Sequence, residues 1–176
     1  MDEDLSIQTD RLRLRRYQSD DADALAGMFA DPEHMRFYPT TFTLEQTREW
    51  IADQLERYGR DGFGLLIVED LATGSVIGTC GPAIRVVGEA EEVEIGWHVG
   101  PGWKGRGIAP EAAAAVRDWV FEHLEVDHVI SLVRPENLPS ARVAEKLGMR
   151  VDRTVDYHDL PHVVYRLDRE GARIDP

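Results

Sequence analysis

The chain has 176 residues, which at roughly 150 residues per domain predicts one domain over residues 1–176, long enough to bury roughly 70% of its extended surface without metal or disulfide staples. Twenty Lys and Arg against 33 Asp and Glu give a formal net charge of −13, so no surface-wide nucleic-acid footprint is expected. The apolar share of 43% excludes disordered and fibrous classes, and the acidity itself reads either as solubility or as a field that attracts cationic ligands such as amines.

The opening segment MDEDLSIQTDRLRLRR is acidic and has no apolar stretch, so it is not expected to be a signal peptide. No window approaches the roughly 18 apolar residues of a membrane span, and a cytoplasmic protein without membrane contact is the expectation. Leu12 and Leu14 alternate with Arg11, Arg13 and Arg15, the period of a half-buried first strand. Ser19, followed by Asp20, Asp21 and Asp23, reads as an N-cap with acids in a first helical turn. Asp31-Pro32 ends that helix. The connector DPEHMRFYPTTF carries Phe37, Tyr38 and Phe42 and reads as a packed helical turn or as the wall of a substrate pocket. Thr43 and Gln46 form a capping box for a second helix, with Trp50, Ile51, Leu55 and Tyr58 on one face and Gly59 as its stop.

GFGLLIVED and SVIGTCG are two strand-like runs joined at Thr73-Gly74 as a hairpin. Cys80 is the sole cysteine, so no intrachain disulfide or Cys-rich zinc site exists; a small buried strand residue is its simplest role. The loop RVVGEAE leads to a third run, EEVEIGWHV. From Pro110 the period changes to a helix with Val116, Trp119, Val120 and Leu124. HVISLV, the helix PSARVAEKLG, MRVDRTV and HVVYRL complete the chain. This order predicts a mixed α/β (α+β) fold with a mostly antiparallel twisted sheet flanked by helices.

GPGWKGRG, between the third run and the following helix, holds four glycines in eight residues. Such a loop exposes backbone N–H groups, and the helix start adds unpaired donors and positive partial charge, so together they make a phosphate site. Lys104 and Arg106 are the only charges between residues 100 and 109, a basic island in an acidic chain. A P-loop is excluded because Gly105 is followed by Arg106 and Gly107. Gly100 to Gly105 fits G-x-G-x-x-G literally, but Glu125 and Asp127 precede the next strand instead of ending it, and three antiparallel candidates come first.

VGPGWKGRGIAPEA resembles the acetyl-CoA pyrophosphate loop of the GNAT superfamily of N-acetyltransferases, with Lys104 at the position the pattern gives to Arg or Gln, then Gly105, Arg106, Gly107, Ile108 and Ala109. Asn137-Leu138-Pro139-Ser140 with Glu145-Lys146-Leu147-Gly148-Met149 resembles the family's second signature. The opening TDRLRLRRYQSDDADAL is similar to the start of ribosomal-protein alanine acetyltransferases. The resemblance implies a GNAT-like acyl-CoA N-acyltransferase fold and transfer of acetyl from acetyl-CoA to a primary amine. It puts the pantetheine against Ile95 to Val99, with Trp97 beside it and a backbone N–H near Val99 polarising the thioester carbonyl; Trp97 and Trp103 also suit packing.

Attack on a thioester needs a neutral amine, and an α-amine is only roughly a tenth neutral at pH 7. The resemblance makes Glu94 the general base, against the plain reading of a strand Glu on a solvated face, with Glu91 and Glu92 close by. Asn137 and Ser140 are N-cap candidates that also reach the cofactor. Many members place a Tyr seven residues after this Asn to protonate the thiolate; here it is Ala144, so Ser140 or an ordered water is the substitute. Phe37, Tyr38 and Tyr157, with His158, are expected along the acceptor. His158 and His162 are four residues apart, but Pro161 argues against a metal-binding helix, and no metal is expected. The resemblance is compatible with a homodimer. Other readings of the same residues are a CoA-binding sensor without catalysis and a dinucleotide-binding oxidoreductase.

Overall fold

A computed structural model describes residues 5–172; the acidic residues 1–4 of the opening segment lie outside the described residues. Eight strands and four helices follow the order β1 (Ser6–Gln8), β2 (Leu12–Arg15), α1 (Asp21–Ala30), α2 (Leu44–Asp61), β3 (Leu66–Asp70), β4 (Val76–Val87), β5 (Ala90–Val99), α3 (Ile108–His123), β6 (His128–Val133), α4 (Leu138–Lys146), β7 (Arg150–Tyr157) and β8 (Leu160–Asp168). All strands join one sheet in the order β1-β2-β3-β4-β5-β6-β8-β7. Every pairing is antiparallel except β5 with β6, which is the mixed, mostly antiparallel sheet expected. Among the described residues no helix is long and apolar enough to cross a membrane.

The first strand expected from Leu12 and Leu14 is β2, and β1 precedes it, paired Ser6 with Arg15 and Gln8 with Arg13. Three residues with no buried member carry too little alternation to be seen; the Thr9 turn creates the strand, its hydroxyl accepting from Leu12 N at 3.0 Å. The Ser19 cap is corrected to Asp20, which makes no side-chain cap bond. Asp21 turns away from the helix end and takes two bonds of 2.8 Å from the Arg15 guanidinium, so its burial is balanced by an ion pair.

The Thr43 capping box forms as expected, Thr43 Oγ1 accepting from Gln46 N at 3.2 Å and Gln46 Oε1 from Thr43 N at 2.8 Å. The helix does not stop at Gly59. It runs one turn further to Gly62, whose φ of +80° suits a left-handed cap and whose N–H reaches Tyr58 O. Its buried face is Thr47, Ile51, Gln54 and Tyr58, with Leu55 exposed. Tyr58 ties three elements: its hydroxyl donates to Leu65 O and accepts from Tyr17 N.

The loop expected at RVVGEAE is also corrected, because the β4–β5 ladder continues to Val87 opposite Ala90. That extension makes Arg85 and Glu94 diagonal neighbours on one face, Glu94 being two residues beyond Arg85's partner Glu92. The core is built from strand residues such as Leu12, Leu14, Leu66 and Ile67 and from the small face of α3, where Ala112, Ala113, Val116 and Val120 are fully buried. Alanines let α3 lie close along β4 and β5, which fixes where its N-terminus points.

Candidate active site

β5 and β6 run parallel but share a single registered pair, Glu94 with Ile130. Ser131 Oγ donates to Ile95 O at 2.7 Å, so a side chain takes over where the ladder ends. Beyond this point residues 96–99 of β5 line two cavities, one of about 470 Å³ and one of about 300 Å³. Phe37, Tyr38, Trp97, His98 and Asn137 belong to both, so the cavities meet across the end of the strand.

Lys104, Gly105, Gly107, Ile108 and Ala109 line the larger cavity, as do Val99, Asn137 and Ser140. Gly105 and Gly107 have φ of +77° and +78°, a conformation that side chains with a Cβ disfavour, and Gly107 is the N-cap of α3. The helix starts at Ile108, two residues before Pro110, where the change of period was expected. Lys104, Arg142 and Lys146 stand along this cavity with no ion pair among the described residues, whereas its one acid, Glu33, is held by Arg36. A cationic wall beside an open helix N-terminus is an anion site, and the net charge of the whole chain conceals it.

Arg106 is placed differently from the other loop residues. It does not line the cavity; its guanidinium lies 5.0 Å from the Trp103 ring centroid, and its carbonyl accepts from Arg11 Nη1 at 3.1 Å. Arg11 also donates from Nε to Glu111 Oε2 at 2.7 Å. The turn between β1 and β2 thereby latches the loop to the first turn of α3. Burial pushes the Glu111 carboxyl up, but the bonds from Thr9 and Arg11 outweigh it and hold it below its usual range. The sequence offered no sign of this contact because its partners lie about 100 residues apart.

Asn137 caps α4, its Oδ1 accepting from Ser140 N at 3.3 Å. Ala144 is fully buried in the core, so that position does not reach the cavity; Ser140, one turn earlier, does.

The smaller cavity contains Glu94, Tyr157 and His158 with Phe37, Tyr38 and Trp97. Glu94 is 9% exposed, not on a solvated face. Its Oε2 accepts from Arg85 Nε at 2.6 Å and its Oε1 from Leu132 N at 3.4 Å. Burial opposes the Arg85 charge, and Glu94 more than restores it, raising the guanidinium above its ordinary value. Glu92, on the same face of β5, is buried too but is paired with His128 and Arg153 and lines neither cavity. Of the three neighbouring acids, only Glu94 reaches a cavity.

His34 and His98 were not singled out by the sequence, yet they stack with centroids 4.4 Å apart where the cavities meet. Both ring nitrogens of His34 and Nε2 of His98 are buried without hydrogen-bond partners. Burial, reinforced by Lys104, lowers His34 to about 4 against a weak opposing effect of Asp31. His98 falls to about 3, first through burial and then through His34 and Lys104. His162 donates from Nδ1 to Leu160 O, since a carbonyl only accepts, so Nδ1 carries the proton. Among the described residues no group of three or more His, Cys, Asp or Glu could hold a metal ion.

The family model for the acetyltransferase (GNAT) domain matches residues 11–150. The chain belongs to the GNAT acetyltransferase family. As a GNAT protein it is an N-acetyltransferase, and relatives at 30% and 33% identity carry that name. It is 35% identical to the uncharacterized protein YkkB of Bacillus subtilis (strain 168), over 90% of this chain and 93% of that one. Among solved structures it is similar to the acetyltransferase from Agrobacterium tumefaciens str. C58, with TM-score 0.80, 33% identity and coverage of 92% and 93%. The GNAT fold is shared further with RimL, a ribosomal L7/L12 alpha-N-protein acetyltransferase in complex with coenzyme A, at TM-score 0.77, 16% identity and coverage of 93% and 97%.

Proposed function

We propose that this N-acetyltransferase transfers the acetyl group of acetyl-CoA to a primary amine, either a protein N-terminus or a small compound. The observation that carries this reading is the pairing of an anion cradle, residues 104–109 at the start of α3, with a second cavity that holds a buried carboxylate. Lys104 and the backbone of Gly105, Gly107, Ile108 and Ala109 would hold the pyrophosphate. Arg106 would act through the loop it braces. Asn137 and Ser140 would flank the pantetheine, with Trp97 and Val99 along the other wall. RimL, which shares the fold, holds coenzyme A, and this supports the choice of cofactor.

Phe37, Tyr38 and Tyr157 would bound the acceptor. The amine nitrogen attacks the thioester carbonyl carbon, a C–N bond forms, the C–S bond breaks, and the electron pair leaves with the CoA sulfur. Glu94 accepts the amine proton directly or through water, a role that contributes on the order of 10²- to 10⁴-fold. A thiol of pKa about 8.5 is a tolerable leaving group, so Ser140 or a water suffices to reprotonate it.

Thermal unfolding with acetyl-CoA and with NAD, together with thiol release from acetyl-CoA over an amine panel, tests the reading. Stabilisation by acetyl-CoA alone is expected, because a ligand bound only to the native state raises its stability by mass action. Stabilisation by NAD alone would refute it. Stabilisation by acetyl-CoA without transfer to any amine, unaltered by Glu94→Gln, would identify a sensor.

A further inference from the structure

The acidic chain as a whole would draw in cations, but the acceptor cavity has a different charge. Its charged lining residues are Arg85, Glu94 and Arg134. Arg85 and Glu94 neutralise one another at 2.6 Å, which leaves Arg134 as the lining cation with no counter-charge inside the cavity. Arg134 is engaged on one side only: Nη2 donates to Glu136 Oε1 at 2.6 Å, and Glu136 does not line the cavity. Its Nε is buried without a hydrogen-bond partner. The guanidinium lines the cavity with donors beyond the one that Glu136 takes, and a carboxylate is the group whose geometry suits them. The rest of the lining mixes apolar side chains, Trp50, Leu65, Leu132 and Leu160, with polar ones such as Thr79, Asn137 and His162.

A polycation such as a polyamine fits this cavity poorly. Each charge beyond the reacting amine would face Arg85 or Arg134, because Glu94, the one carboxylate in the lining, takes the reacting amine. An amine that carries its own anion reverses the situation. Its anion takes the Arg134 guanidinium while its nitrogen reaches Glu94, where β5 and β6 part.

We propose that the acceptor is a small amine bearing a carboxylate, such as an amino acid, and that Arg134 is the residue that selects the carboxylate. This rests on the N-acetyltransferase reading and names the substrate class within it. Arg134 binds and orients; Glu94 remains the proton acceptor.

The probes are L-leucine, L-methionine and L-phenylalanine, each paired with its carboxamide, and spermidine. Binding to the full chain in the presence of CoA is followed by tryptophan fluorescence, which Trp50 and Trp97 in the cavity wall make sensitive to occupancy. A hydrogen bond between charged partners is worth enough for about a tenfold preference, so each acid should bind at least about tenfold more tightly than its amide. Arg134→Gln should bring that ratio close to one while changing amide affinity little, and Arg134→Lys should restore part of it. Equal or tighter binding of the amides or of spermidine, no binding of any acid, or an unchanged ratio in Arg134→Gln would overturn the proposal. Thiol release from acetyl-CoA with the same probes separates the two readings. Carboxylate-selective binding without transfer to any probe sinks the transferase reading and leaves the acceptor site standing. Transfer to spermidine in preference to the amino acids does the opposite.

Discussion

The stacked histidines give the fold an acid sensitivity that can be worked out from the structure. In the native state His34 and His98 titrate near 4 and near 3, whereas in the unfolded chain each titrates near 6.5. Both shifts are downward, so the unfolded state binds more protons as the pH falls through about 6.5, and stability is lost on acidification until the native values are reached. Between pH 7 and pH 5 the unfolded chain gains about 0.7 proton at each site and the native protein almost none, which amounts to about 2 kcal/mol per histidine and about 4 kcal/mol for the pair. Carboxylates held down by ion pairs lose their contribution mainly below about pH 4.5, so this window belongs largely to histidine. Urea unfolding at pH 7, 6 and 5, followed by tryptophan fluorescence, should show that loss. His34→Leu should lose only about half as much over the same range, whatever offset the new side chain introduces at pH 7. Equal losses in the two proteins, or a gain in stability on acidification, would refute the reasoning.

Glu94→Gln should lower kcat by about 10²- to 10⁴-fold while leaving KM for acetyl-CoA nearly unchanged; thiol release assays at pH 7 and pH 9 check this, with a smaller deficit at the higher pH where more of the amine is neutral. Gly107→Ala places a methyl group 3.4 Å from Arg11 Nη2 on a backbone with φ of +78°. A strain of about 1–2 kcal/mol there should weaken acetyl-CoA binding about tenfold by thermal titration, an effect that Glu94→Gln should not share. Asn137→Ala removes the cap of α4 and should cost about 1 kcal/mol in urea unfolding, together with a rise in KM for acetyl-CoA.

Much of the larger cavity was legible because it is local. Four glycines, two cations and a helix start are contiguous between residues 100 and 110, and a phosphate cradle made of backbone N–H groups needs only a short stretch of chain. The Thr43 capping box and the Asn137 cap are legible for the same reason: donor and acceptor lie three residues apart. Period-two alternation also revealed most of the strands, though not β1, and it could not distinguish a loop at RVVGEAE from a ladder that continues through it.

The smaller cavity was legible only in part. Glu94, Phe37, Tyr38 and Tyr157, which line it, were singled out, but Arg85 and Arg134 were not, and neither were His34 and His98. These residues come from β4, the end of β6, the connector after α1, and β5. Their proximity depends on strand register and on the parting of β5 from β6, which no local pattern encodes. The sequence alone determined the charge excess, the element types and the anion loop, since each depends on residues that are neighbours in the chain. The tertiary structure decided where charge is left uncompensated. A protein with 13 more acids than bases lines its larger cavity with cations that have no ion pair among the described residues and its smaller cavity with an arginine whose partner Glu136 lies outside it, because burial and pairing, not composition, fix the charge that a ligand meets.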